Sequence, residues 1–205
     1  MQHWNGDQLC AIDTETTGLD GCWHEVYQVA ILPLDSNIEI RKDIRPFYIN
    51  LKLENPERID INMKTGMKKR IMEVSSSSFD KIKAMDLLED WIKKLKLPLT
   101  KFGTPKRIIP LGQNYQFDRL FMISWLGAEL YESWFSHDYK DTMRAASFLN
   151  DYAAWRGEPA PFAKLNLSWL AKTLNVEHDN PHDALQDALV TSKVYQQLLR
   201  FGNIL

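Results

Sequence analysis

Short apolar runs alternate along the chain with stretches of helical periodicity, and their order predicts the elements. Residues 9–13 are apolar and end on a carboxylate, so they read as a strand. A polar, glycine-containing turn follows over residues 17–21. Residues 26–34 are almost continuously apolar, as a strand buried on both faces would be. Asp35, Ser36 and Asn37 have the composition of a hairpin turn. Ile38, Ile40 and Ile44 then alternate with polar residues and predict a half-buried antiparallel partner. Residues 55–70 are polar and basic, with at most a short helix. The serine run 75–78 reads as a loop, with Ser78 capping a helix over residues 79–95 whose Leu88, Trp91, Ile92 and Leu95 recur at helical spacing.

Pro98 and Pro105 bound a further loop, and residues 107–111 form another apolar strand. A helix over residues 115–126 is expected to bury Phe117, Leu120 and Phe121, with Ser124 beside them. Residues 138–142 predict a last strand, leading into a helix that runs through Phe148. Gly157, Pro159 and Pro161 mark a surface loop, and residues 167–174 a short helix. The last helix spans residues 181–199, with Pro181 in its first turn and Leu185, Ala188, Leu189, Ser192 and Leu199 along one face. Three strands, then helix, strand, helix, strand and helices imply an α/β fold with a mixed sheet flanked by helices.

Composition narrows the function classes. The chain has 205 residues, 44% of them hydrophobic, which suits one domain with a full core. The formal net charge is −2, so the whole surface is not a cationic nucleic-acid coat; contact with nucleic acid must be local or relayed by metal ions. Cys10 and Cys22 lack metal-ligand spacing and read as free thiols of a reducing compartment. The polar residues 1–7 do not form a secretory signal, and no apolar run reaches membrane-helix length, so a cytoplasmic protein is expected.

Three motifs carry candidate chemistry. The first is Asp13-Thr14-Glu15-Thr16-Thr17-Gly18. Residues two apart on a strand share a face, so Asp13 and Glu15 stand side by side. Two such charges repel unless a cation lies between them, and open carboxylate sites suit Mg²⁺ or Mn²⁺. An Asp-x-Glu pair alone is more often an acidic strand exit facing water; the six residues together are far more specific. The second motif is Gly112-Gln113-Asn114-Tyr115-Gln116-Phe117-Asp118. If the helix starts near Asn114, Asn114 and Asp118 lie one turn apart at a sheet edge, where ligands commonly bind in α/β folds. Read alone, Asn114 is a cap, Asp118 a solvated residue and Phe117 core. The third motif is Pro181-His182-Asp183-Ala184-Leu185-Gln186-Asp187-Ala188. It places His182 in the first helical turn and Asp187 on a stripe with Ala184, Ala188 and Thr191, small residues that let it approach the sheet. A histidine can take a proton from water near neutral pH. Read alone, His182 and Asp187 are surface residues, and Asp179 and Asp183 are charges at a helix N-terminus.

In order and content the three motifs resemble those of the DnaQ-like (DEDDh) 3'→5' exonuclease superfamily, which includes the proofreading epsilon subunit, ribonuclease T and oligoribonuclease. The resemblance runs from Cys10 to about Tyr195; Asp141-Thr142 and residues 167–174 resemble family features between the motifs. It implies a ribonuclease-H-like fold with a central mixed five-stranded sheet, as one exonuclease domain over residues 1–205 with its motif-bearing core at about 8–200. It assigns Asp13, Glu15, Asp118 and Asp187 to two Mg²⁺ ions, with Mn²⁺ as a substitute, and His182 to the general base. Thr14, Thr16, Leu19 and Asn114 fall where the family touches the terminal nucleotide, Leu19 as a wedge against the last base. The implied reaction hydrolyses the 3'-terminal phosphodiester of DNA, at single-stranded or frayed ends, to nucleoside 5'-monophosphates. Gln113 departs from the histidine common at its position, and residues 55–70 resemble the family only loosely.

The nearest rival is the same chemistry on RNA, which the motifs do not separate from DNA. The rival of another class is a non-catalytic nucleic-acid-binding or polymerase-accessory module, whose signature would be loss of a carboxylate or of the histidine. Lys64, Lys68, Lys69 and Arg70 form one basic cluster, and Lys101, Lys106 and Arg107 another; each is a binding surface or a solvated face. Gln196, Leu199 and Phe201 have the spacing of a sliding-clamp peptide, which would make a clamp or polymerase a partner in trans, although most of that stretch reads as the end of a packed helix.

Overall fold

The protein's structure, a computed structural model, describes residues 6–76, 78–179 and 181–201; Met1–Asn5, Ser77, Asn180 and Gly202–Leu205 lie outside the described residues. Five strands, β1 (Leu9–Thr16), β2 (Val26–Pro33), β3 (Phe47–Asn50), β4 (Ile109–Gly112) and β5 (Lys140–Asp141), form one sheet in the order β3-β2-β1-β4-β5. β1 pairs antiparallel with β2 and parallel with β4, β3 is antiparallel to β2, and β5 is parallel to β4, so the sheet is mixed, as expected. The helices are α1 (Thr65–Ser76), α2 (Lys81–Lys94), α3 (Gln116–Leu126), α4 (Ala128–Trp134), α5 (Thr142–Trp155), α6 (Leu167–Thr173) and α7 (Ala184–Phe201), with a 3-10 turn at Pro56–Arg58.

The alternation of β1 builds two cores. Cys10 and Ile12 pack with Val29, Ile31, Phe47 and Ile49 under α2 and α3, where Leu88, Trp91, Phe121 and Met122 are buried. Leu9 and Ala11 face the other way with Ala30, Leu32 and Leu111, against Ala184, Ala188 and Tyr195 of α7. A third cluster joins α5, α6 and α7 through Leu149, Leu170, Val190 and Val194. Helix α2 forms where the periodicity puts it: Ala84, Leu88, Trp91 and Ile92 are buried. Leu88 is fully buried, so truncation to alanine should cost about 2–5 kcal/mol.

Several expectations are corrected. The third strand is β3, not residues 38–44. After the turn at Asp35, the chain makes a single bridge from Leu34 to Ile40, with Ile38 in a left-handed conformation (φ 64°). The isoleucine alternation is a burial signal from a loop: Ile38 and Ile40 pack on the α7 side and Ile44 on the α2 side. Ser75 and Ser76 of the serine run are helix rather than loop. Helix α1 extends through Ser76, and buried Ser75 accepts a hydrogen bond from the Leu53 amide at 2.8 Å. Asp80, not Ser78, caps α2, accepting from the Lys83 amide at 2.8 Å. Leu120 and Leu199, expected in the core, are 56% and 49% exposed. α4 falls in a stretch with no expected element, and α5 continues beyond Phe148 to Trp155. Among the described residues no helix is long and apolar enough to cross a membrane.

Candidate active site

Asp13 and Glu15 continue the row of Leu9 and Ala11 and therefore face α7, while Thr14 continues the row of Cys10 and Ile12. Thr14 is buried and clamps Asp118: one Asp118 oxygen accepts from the Thr14 amide at 2.9 Å and from its hydroxyl at 2.8 Å. Asp118, in the first turn of α3, is itself buried and is drawn to the end of β1. Asp187 arrives from the first turn of α7, the helix whose Ala184, Ala188 and Thr191 are fully buried, as the small stripe requires. Ligand atoms of Glu15, His182 and Asp187 lie within 4.8 Å of one another.

The third motif is built differently from the expected helical turn. α7 begins at Ala184, not at Pro181, so His182 sits on the turn before it, with left-handed backbone (φ 71°). Such backbone costs about 1–3 kcal/mol and persists only where its surroundings hold it. Here the His182 amide donates to Asp187 at 3.1 Å, and Asp183 caps the helix by accepting from the Gln186 amide at 3.2 Å. Gln28 of β2 accepts from the Ala184 amide at 2.9 Å and pins the helix start to the sheet.

The carboxylates hold each other in an unfavourable state. Burial, and then the charges of Asp118, Glu15 and Asp187, push Asp13 well above the ordinary aspartate range. Burial and the Asp187 charge push Glu15 to about 7, against the opposing charge of Arg70. Burial raises Asp118 to about 7 despite the two Thr14 hydrogen bonds that favour its charge. Mutually repelling carboxylates that converge in this way suit a divalent cation.

The protein matches no family model. An oligoribonuclease from Neisseria meningitidis serogroup A is 24% identical over 127 residues, 58% of this chain and 62% of that protein. Exonuclease I superposes with a TM-score of 0.67 at 19% identity, over 95% of this chain and 41% of its own. The nuclease domain of 3'hExo, a DEDDh family member solved bound to rAMP, superposes with a TM-score of 0.66 at 17% identity, over 98% of this chain and 96% of that domain. The fold is that of the DEDDh exonucleases. The chain thus spans less than two thirds of the oligoribonuclease and of exonuclease I, but nearly the whole nuclease domain of 3'hExo.

On this DEDDh fold the remaining expected residues fall in different places. Thr14, expected at the substrate, is committed to Asp118. Thr16 donates its hydroxyl to the Gly18 carbonyl at 2.7 Å, shaping the turn that leaves Leu19 79% exposed. Asn114 is exposed on left-handed backbone (φ 58°) before α3, not on the helix with Asp118. Gln113 donates to the Leu165 carbonyl at 2.7 Å, a packing role. Of the clamp-like residues, Phe201 packs its ring at a tilt on Phe162 (5.4 Å between centroids) and Gln196 donates to the Asn37 carbonyl, while Leu199 faces outward on α7.

Three contributors were not singled out as site residues. His178 lies 2.6 Å from Asp187 through its Nε2, with the Ser168 hydroxyl at 3.4 Å from its other nitrogen. No helical or strand spacing links it to His182, so periodicity could not find it. Asp141, named above only by resemblance, accepts from the amides of Tyr115 (2.7 Å) and Met143 (2.9 Å), fixing the turn before α3 while capping α5. Tyr27, on β2, points its hydroxyl at Glu15 from 3.5 Å.

Proposed function

We propose that the chain is a divalent-metal-dependent 3'→5' exonuclease that hydrolyses the 3'-terminal phosphodiester of single-stranded or frayed DNA and releases nucleoside 5'-monophosphates. The observation that carries this reading is the convergence of Glu15, Asp187 and His182 beside half-buried Asp13 and buried Asp118, whose charges repel each other. Asp13, Glu15, Asp118 and Asp187 would hold two Mg²⁺ ions, which supply Lewis acidity toward the phosphate and a water acidified for attack. Mn²⁺ would substitute.

The protein's own groups do the rest. Thr14 keeps one Asp118 oxygen occupied and so fixes the carboxylate's orientation. His182, exposed at the rim, accepts the proton of the attacking water. Exposed Leu19 wedges against the last base, and Thr16 and Asn114 border the terminal nucleotide. Cations bound among the carboxylates would let a chain of net charge −2 receive a polyanion.

Exonuclease I has been solved with dT13 and dA16 oligonucleotides, which supports single strands and DNA. A second reading, an exoribonuclease, is favoured by the match to an oligoribonuclease. The test uses 5'-labelled DNA and RNA of one sequence, single-stranded and duplex, with Mg²⁺ or EDTA. A metal-dependent ladder shortening from the 3' end is expected, faster on single-stranded DNA; faster RNA cleavage selects the second reading, and no cleavage of any substrate overturns both. His182→Ala should lower kcat by about 10²–10⁴-fold. Unchanged Mn²⁺ affinity in that variant would separate a proton acceptor from a metal ligand.

A further inference from the structure

The basic cluster of residues 64–70 separates into different roles once α1 is in place. Lys69, on the outer face, pairs with Glu73 at 3.7 Å, both highly exposed, and Lys68 donates to the Ile61 carbonyl at 2.8 Å. Arg70 turns toward the candidate active site. Its guanidinium lies 3.8 Å from Asp183, the residue between His182 and the start of α7. Asp183 in turn accepts from the Tyr48 hydroxyl at 3.0 Å. The Arg70 charge also reaches Glu15 and Tyr27, favouring the ionised form of each.

A separation of 3.8 Å is an ion pair but lies beyond hydrogen-bond reach. Among the described residues no hydrogen bond holds the guanidinium, and its side chain is 37% exposed. A planar fork of donors beside a phosphodiester site, with its charge held but its hydrogens uncommitted, matches the geometry of a phosphate. Resting on the exonuclease reading, we propose that Arg70 grips a backbone phosphate of the bound single strand next to the scissile linkage, exchanging its long contact with Asp183 for hydrogen bonds to that phosphate. The four carboxylates face the scissile group itself, which leaves a neighbouring phosphate for the flank formed by Arg70, Asp183 and Tyr48.

The test measures binding of a labelled single-stranded DNA with Ca²⁺ in place of Mg²⁺, with the oligonucleotide checked to remain intact. A neutral methylphosphonate is placed in turn at each of the first three linkages from the 3' end. Arg70→Gln should weaken binding about tenfold, the usual worth of a charge-assisted hydrogen bond. It should also flatten the slope of affinity against salt by about 0.7, the value for one phosphate contact on a single strand. A methylphosphonate at one of the three linkages should weaken the wild type and leave Arg70→Gln unaffected. Lys69→Gln should change none of these. Arg70→Lys keeps the charge beside Asp183 and remains informative should Arg70→Gln unfold: it should keep the slope and lose several-fold in affinity. An unchanged slope with additive methylphosphonate effects at all three linkages, or full affinity in Arg70→Lys, would overturn the proposal. The Mg²⁺ cleavage ladder of the wild type is read separately. A ladder without Arg70 coupling sinks this contact alone, whereas coupling without a ladder keeps the contact and sinks the exonuclease.

Discussion

Glu15 and Glu25 stand at the two ends of the turn between β1 and β2, and their surroundings differ in kind. Glu25 is 6% exposed and fully supplied with donors: the amides of Glu54 (3.0 Å) and Asn55 (2.7 Å) and the Lys81 ammonium (2.8 Å). Burial pushes its pKa up, but the Lys81 and backbone hydrogen bonds outweigh that and hold it below the ordinary glutamate value. Glu15 has one phenol at 3.5 Å and the Asp187 charge close by, and it rises to about 7. A carboxylate serving the fold comes with its own donors. Glu15 has almost none, and the two Thr14 hydrogen bonds to Asp118 do not offset the burial of Asp118, so the cluster's charge favours a cation bound among the carboxylates.

The contrast can be broken or sharpened by experiment. The largest effect is expected from Asp118→Asn, which should abolish metal-dependent cleavage while raising the melting temperature of the EDTA-treated protein at pH 8, because it removes a buried charge from the cluster. Wild-type-level cleavage would remove Asp118 from the site. Next in size, Lys81→Ala should destabilise the fold by about 3 kcal/mol, read by urea unfolding, because it strands buried Glu25. A cost within 0.5 kcal/mol, the scale of an ordinary surface substitution, would mean that the two amides suffice. His178→Ala should cost about 10–100-fold in metal affinity, as loss of a group orienting a ligand usually does. Titration calorimetry with Mn²⁺ measures it, and unaltered affinity would make His178 a packing residue only.

The smallest effect is thermal and concerns pH. Glu15 and Asp118 have raised folded values, so they add stability below their ordinary values of 4.5 and 3.8 and lose it as pH climbs through about 7. Glu25, with a lowered value, acts oppositely: its contribution is present above 4.5 and fades only in acid. The metal-free protein should therefore melt a few degrees lower at pH 8 than at pH 5.5. Saturating Mg²⁺ should close that gap, since an ion bound only to the folded state stabilises it by mass action. A gap that persists in Mg²⁺ would show that the cluster does not take the ion.

Much of this was legible beforehand because it follows from local periodicity. The period of two along β1 puts Asp13 and Glu15 on one face, and the small stripe of α7 marks where a helix can press against a sheet. The misreadings share a cause. Ile38 is buried and Ile40 and Ile44 are partly buried in a loop, and apolar alternation does not say whether a neighbouring strand exists. N-terminal preference puts the start of α7 at Pro181, yet the Gln28 side chain and the Asp183 cap settle it at Ala184. The Asp183 cap is a local contact, but the Gln28 one is invisible to a one-dimensional pattern, because Gln28 is 156 positions from Ala184 in the chain.

The sequence by itself determined the kinds of element, the mixed character of the sheet and the acidic and histidine side chains offered for chemistry, because propensity, alternation and motif spacing act over a few residues. Only the tertiary structure decided which carboxylates crowd together, that Thr14 serves Asp118, that His178 touches Asp187 and that Arg70 rather than Lys69 faces the site. Those outcomes depend on burial and through-space charge between residues far apart in the chain, quantities that exist only once β1, α1, α3 and α7 have packed.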